Sequence, residues 1–150
     1  IWLPKADRTT VCTDWKPGDG QLIQHLPLNY SNAVMKTIEN IDVIWISNRS
    51  IVRAFEVEHT TSIYSGLLRM ADLVAMLPNL NMKLHIVAPT ERKEKVFEEI
   101  KRPVFSLLEG GPLSNLCSYL SYENITEISK DPHLKHLNDS VLEDFAESAD

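Results

Sequence analysis

The sequence predicts an α/β fold: a central mixed sheet flanked by helices. Three observations point there. Strand-like and helical patterns alternate after residue 50, which is the pattern of a sheet covered by helices. The central runs Val43–Ile46 and Ile51–Val57 are largely apolar on both faces, as strands buried on both sides are. The chain has 150 residues, 43% hydrophobic and 24% charged, enough for one core and close to an average globular domain. That composition excludes a wholly disordered chain, and no period of a repeat array is present. No apolar run reaches the length of a membrane-spanning helix.

The elements follow in order. Residues 1–30 are rich in breakers (Pro4, Pro17, Gly18, Gly20, Pro27), so only short strands around Trp2 and Val11 are expected. From Ser31 to Asn40 the pattern turns helical, with Ser31 or Asn32 as cap and Ala33, Val34, Ile38 and Ile41 apolar. Asp42–Ile46 and Ile51–Glu58 then read as a hairpin around the polar Ser47-Asn48-Arg49-Ser50. The spacing of Ile63, Leu67, Ala71 and Val74 predicts a helix over Ser62–Leu77, capped by Thr60 or Thr61 and stopped by Pro78. Met82–Ala88 is the next strand. A charged helix from Thr90 to Lys101 packs through Val96, Phe97 and Ile100, with Glu91–Lys95 and Lys95–Glu99 spaced to pair. Pro103 and Gly110-Gly111-Pro112 interrupt before a strand at Cys117–Ser121. Helical segments at Asn124–Ser129 and Ser140–Ala146 close the chain.

Net charge is −6, which argues against a dominant nucleic-acid-binding stripe. The distribution matters more. Asp139, Glu143, Asp144, Glu147 and Asp150 form an acidic tail over residues 139–150, and the body without it is near neutral. Between Arg49 and Arg102 nine bases face seven acids, so a local basic face is compatible with the sequence. Two cysteines, Cys12 and Cys117, make no disulfide framework or zinc motif, and fit a reduced, cytoplasmic compartment. The sequons at Asn29, Asn48, Asn124 and Asn138 point weakly the other way. The chain opens Ile-Trp-Leu without an initiator Met, and is expected to be a single domain cut from a longer protein.

Three carboxylates stand out. Asp42, Glu56 and Glu58 sit in an apolar hairpin, although acids are depleted in strands and rarely buried without a partner. Glu56 and Glu58 are two apart and share a face. If Ser47 lies opposite Ile51, Asp42 falls directly across from Glu56, and three acids converge at one end of the hairpin. Their mutual repulsion is relieved by a shared proton or a cation, and hard oxygen ligands suit Mg²⁺ or Mn²⁺. A register slip of one residue would turn Asp42 to the other face. The plain alternative is a solvated strand end.

Ile-Asp42-Val-Ile-Trp, a short turn, Ala-Phe-Glu56-Val-Glu58-His and then a helix resemble the core of the PD-(D/E)XK nuclease superfamily, which includes many restriction endonucleases. The resemblance covers roughly residues 31–88. It implies a restriction endonuclease-like core and metal-dependent hydrolysis of DNA, the work of an endodeoxyribonuclease. Asp42 matches the family's Asp and Glu56 its first acid, while Glu58 stands where the family usually carries Lys. The resemblance further implies that Asp42 and Glu56, with the carbonyl of Val57, hold Mg²⁺ or Mn²⁺, and that Glu58 handles the attacking water. Without the Lys another cation is needed, and Arg69, on the polar stripe of the next helix, is the candidate; its alternative is a pair with Asp72. The N-terminus of that helix also offers N–H groups to a phosphate. Glu39 could join the metal shell.

The implied partner is DNA, gripped with help from a further domain, and a symmetric homodimer would suit double-strand cleavage. The missing Lys leaves a rival reading, a non-catalytic interaction module on the same fold. The remaining candidates read as structural. His59 should point away from Glu58, His133 and His136 should be solvated, and Arg92, Lys93, Lys95, Lys101 and Arg102 should form a salt-bridged face with the interleaved acids. Trp2, Trp15 and Trp45 read as core or interface aromatics.

Overall fold

A computed structural model describes residues 1–59, 62–78 and 81–149, with only the backbone of Lys135. The proposed caps Thr60 and Thr61, and Asp150 of the acidic tail, lie outside the described residues. Short helix α1 (Arg8–Asp14) and helix α2 (Asn32–Glu39) precede the hairpin β1 (Val43–Ser47) and β2 (Ser50–Val57). Helix α3 (Ile63–Met76) leads to β3 (Lys83–Ala88), and α4 (Lys93–Ile100), α5 (Pro103–Ser106) and α6 (Leu113–Leu116) lead to β4 (Cys117–Ser121). Helix α7 (Tyr122–Ser129), two 3₁₀ turns and β5 (Glu147–Ser148) complete the chain. The architecture is therefore α/β, as expected. A five-stranded mixed sheet runs in the order β1-β2-β3-β4-β5, with β2, β3 and β4 parallel and both edges antiparallel. Among the described residues no helix is long and apolar enough to cross a membrane.

The hairpin register decides where the acids fall. Ser47 pairs with Ser50 and Ile46 with Ile51, so the expected closure of Ser47 on Ile51 is not the one formed. The reason is a two-residue turn: Asn48 (φ 49°) and Arg49 (φ 65°) both take the left-handed conformation that matches strand twist. An irregularity between Trp45 and Ile46 then leaves Val52 as an extra residue, and Trp45 faces Arg53, Ile44 faces Ala54 and Val43 faces Phe55. The two departures cancel. The paired register ends at Val43–Phe55, and Asp42, just outside the strand, reaches across the hairpin to the Val57 N–H.

Alternation along the sheet makes two cores. Ile44, Ala54, Leu84, Ile86, Cys117 and Tyr119 face α2, α3 and α4, where Ile38, Leu67, Met70, Val96 and Ile100 are buried. Helix α3 contributes the predicted face: Ile63, Leu67, Ala71 and Val74 are all buried, joined by Gly66, Met70 and Leu73. Shortening such a side chain, as in Leu67→Ala, costs about 2–5 kcal/mol. On the opposite face Phe55, Val87, Leu120 and Leu142 pack under α7 and the C-terminal segment.

Several local expectations are corrected. Val11 lies in helix α1, not a strand, because its neighbourhood is pinned by Arg8, which donates to Leu3 O and Ile23 O and stacks 4.6 Å over Trp2. The strand expected near Trp2 shrinks to a single bridge with Ile44. Pro103 opens α5 at its first turn, where a missing N–H costs nothing, rather than only breaking the chain. The helix expected over Ser140–Ala146 is a 3₁₀ segment, Asp139–Asp144, capped by Asn138, whose side chain accepts from the Ser140 N–H.

Candidate active site

Asp42 stands immediately before β1, and its Oδ2 accepts the N–H of Val57 across the hairpin at 2.8 Å. Glu56 is fully buried and Glu58 is 3% exposed. The Glu58 N–H donates to Val87 O at 2.8 Å, carrying the β2–β3 ladder one residue past Val57. Alternation is thereby kept, and Glu56 and Glu58 both face α3 while Val57 turns to the other side. Gly66 makes this possible: a Cβ there would stand 2.6 Å from Glu58 Oε1 and 3.1 Å from Glu56 Cβ. A larger residue would force the Glu58 carboxylate aside and crowd Glu56.

Arg69 lies one turn further along α3. Its Nε donates to Glu56 Oε1 at 2.8 Å and its Nη2 to Glu56 Oε2, a bidentate fork. The sequence brought Arg69 to this site, but its partner is Glu56, not Asp72. Arg69 is 34% exposed, so the guanidinium bridges a wholly buried acid to solvent. Burial is the strongest influence on Glu56 and pushes its pKa up to about 8; Arg69 pulls down, and the nearby charges of Asp42 and Glu58 push further up. The hydrogen bond to Glu56 holds the Arg69 pKa above its ordinary value.

The expected convergence of the acids is only partly met. Asp42, Glu56 and Glu58 occupy the same end of the hairpin, and Glu56 feels the charge of the other two. Among the described residues, however, no three His, Cys, Asp or Glu side chains are gathered as a ready metal cage. The reason lies in the contacts above: Asp42 is drawn to the Val57 N–H and Glu56 to Arg69. The donor chemistry still fits a hard divalent cation, since two carboxylates and the Val57 carbonyl are oxygen ligands of the kind Mg²⁺ and Mn²⁺ take.

The histidines and most of the charged face fall as the sequence reads, whereas Glu39 stands apart from the three acids. His59 turns away from Glu58 and stacks on Tyr122, with ring centroids 6.0 Å apart. Glu39 lines a different hollow with Trp2, Pro4 and Lys5. His133 and His136 are exposed. The charged face is salt-bridged: Lys95 pairs with Glu98 and Glu99, Arg102 with Glu99, and Lys93 with Glu147. Arg92 donates to the carbonyl of His59 at 2.7 Å. Trp2 is buried in the core and Trp45 packs against Phe55.

Sequence reasoning missed a second charged cluster, on the other face of β2. Arg53 is 2% exposed and spends its guanidinium on three partners: Asp139 at 2.8 Å, Glu143 at 2.8 Å and His85 Nε2 at 3.0 Å. Lys83 also pairs with Glu143. Because a guanidinium only donates, His85 Nε2 must accept, which puts its proton on Nδ1, 2.7 Å from Ser118 Oγ. The imidazole therefore donates to the hydroxyl and cannot take its proton, so this Ser–His pair is no nucleophile. Burial, with Arg53 beside it, lowers the His85 pKa to about 4, and hydrogen bonds from Lys83 and Arg53 hold Glu143 at about 2. Two signals were available: an Arg inside an apolar strand, and two acids four apart in the C-terminal segment.

Residues 1–149 match the family of the type II restriction enzyme NmeDI C-terminal domain. The chain is also 38% identical, over 153 aligned positions, to the type II restriction enzyme NmeDI of Neisseria meningitidis serogroup C. The alignment takes in 96% of this chain and 41% of that relative. No solved structure matches the chain significantly. The chain belongs to the NmeDI C-terminal domain family.

Proposed function

With that membership as premise, we propose that the chain is the catalytic domain of a restriction endonuclease, hydrolysing phosphodiester bonds in DNA with Mg²⁺ or Mn²⁺. The single observation that carries this reading is the end of β2. There Glu56 and Glu58 are buried under a helix that a glycine lets approach, with Asp42 tied across the hairpin. A hairpin bearing these acids, followed by a helix and a parallel strand, is the arrangement expected of a PD-(D/E)XK core. Since the chain spans 41% of its relative's length, the domain works within a longer protein whose remainder helps grip the DNA. A homodimer in the cytoplasm, cutting both strands, is the form that suits the task.

In this reading Asp42, Glu56 and the Val57 carbonyl hold the cation. When bound, the cation polarises the scissile phosphate and acidifies a water for in-line attack. Glu58, beside Glu56, orients that water and accepts its proton. Arg69 answers the charge that builds on the phosphate oxygens, the part for which the family usually employs the Lys absent at position 58. Burial favours the neutral form of Glu56 and Arg69 the ionised one; a bound cation needs the ionised form, so binding should tighten as pH rises.

The test is cleavage of plasmid DNA with Mg²⁺ or Mn²⁺. Asp42→Asn and Glu56→Gln should each lower the rate by at least about 100-fold, as loss of a catalytic carboxylate does. Cleavage that survives both changes would overturn the assignment. One observation favours the rival, a non-catalytic interaction module: both oxygens of Glu56 are already taken by Arg69. Absence of metal-dependent cleavage by the full-length protein, with the fold intact, would support that reading.

A further inference from the structure

Arg69 does more than stand near the acids. Its fork covers both oxygens of Glu56, the one wholly buried carboxylate among the described residues. A cation that takes Glu56 as ligand must approach the oxygens that already accept the fork, and two positive charges held that close repel each other. The competition has an exit. Glu56 sits on a strand in the core, whereas Arg69 is partly exposed on a helix surface, so only the guanidinium can withdraw. Gly66, one turn earlier, lets α3 lie close above Glu56 and Glu58, and the Arg69 guanidinium stands between the buried acid and solvent. A withdrawn guanidinium needs a new anion, and the planar fork that fits a carboxylate fits a phosphodiester equally well.

We propose that Arg69 is an internal counter-ion that closes the metal site until DNA arrives, exchanging Glu56 for a DNA phosphate so that metal and DNA load together. This rests on the nuclease reading above and adds a regulation to it. Metal affinity is low while Arg69 holds Glu56. A backbone phosphate placed at the mouth of the site draws the guanidinium away, and the freed carboxylate joins Asp42 as a ligand. By linkage the metal must tighten DNA binding by the same factor. The device would keep the isolated domain from hydrolysing at random.

The experiment is a calorimetric titration with Mn²⁺ of the parent, Arg69→Gln and Arg69→Lys, each checked for its thermal transition. Titrations are run alone and with a short duplex whose phosphorothioate linkages resist cleavage, against a duplex blank. Without DNA, Arg69→Gln should bind Mn²⁺ on the order of tenfold more tightly than the parent, a typical coupling between two sites. Arg69→Lys, which keeps the charge but loses the fork, should fall between them and stands in if the Gln variant does not fold. With duplex present the parent should gain most of that factor and Arg69→Gln little. A parent that binds Mn²⁺ as tightly as both variants without DNA overturns the counter-ion and leaves the nuclease reading intact. No Mn²⁺ binding by any of the three, even with duplex, overturns both.

Discussion

Strand β2 buries a charge on each of its faces, and the two are treated differently. On one face Arg53 is surrounded by Asp139, Glu143 and His85, while Lys83 supports Glu143. On the other, Glu56 lies with Asp42 and Glu58 nearby and Arg69 forked onto it. The carboxylates report the difference. Glu143, half-exposed and held by two bases, is kept at about 2, whereas Glu56, enclosed with acids beside it, is pushed up to about 8. The first cluster is satisfied as it stands and clips the C-terminal segment to the sheet. The second holds its buried carboxyl with a single, partly exposed base, and in the proposed reading that is what leaves it open to a metal cation.

The contrast can be broken at its strong end first. Replacing both Asp139 and Glu143 by Ala strands Arg53 as a buried cation, and the expected loss is about 3–5 kcal/mol in urea denaturation. A loss below about 1 kcal/mol would mean that the clamp is ornamental.

The pH dependence of stability sharpens the comparison next. Glu56 titrates near 8 in the fold against 4.5 when exposed, so the folded chain holds that proton more tightly. Its contribution is fully present below pH 4.5 and is lost as pH rises through about 8. Glu143 runs the other way, stabilising above 4.5 and losing this as pH falls through about 2. His85 behaves alike, its contribution present above 6.5 and lost toward about 4. Glu56→Gln should therefore gain on the parent between pH 4.5 and 8, by on the order of a few kcal/mol, when thermal melts are followed across that window. A difference that stays flat would remove the contrast between the two acids.

Gly66→Ala is a milder probe of the second cluster. Its Cβ would press on Glu58 and Glu56 at 2.6 and 3.1 Å. Overpacking of this kind costs about 1–3 kcal/mol, of which the better helix propensity of Ala returns up to about 1. Metal binding should weaken along with stability. The smallest effect belongs to Lys83→Ala: Lys83 and Glu143 are both well exposed, and the change should cost less than about 1 kcal/mol.

What was legible in the sequence follows from the kind of signal. Helix α3 and strands β2, β3 and β4 were readable because apolar spacing reports burial directly. The acids were readable because Asp42, Glu56 and Glu58 interrupt that pattern. Even the register survived, through a turn and a bulge that offset each other. The misread parts depend on long-range contacts. Val11 is helical because Arg8 anchors its segment to Trp2 and Ile23. The acidic tail finds its bases in Arg53, Lys83 and Lys93, which lie far from it in sequence. The fork from Arg69 to Glu56 spans 13 residues and needs the turn from strand to helix to be formed.

The central claim is that the acidic end of β2 holds a divalent cation in the service of DNA hydrolysis. The most direct measurement is the number of Mn²⁺ ions bound per chain in the presence of duplex DNA, in the parent and in Glu56→Gln. The account predicts a saturable, duplex-dependent site in the parent that disappears in Glu56→Gln while the fold is retained. Equal Mn²⁺ binding by the two proteins would contradict it.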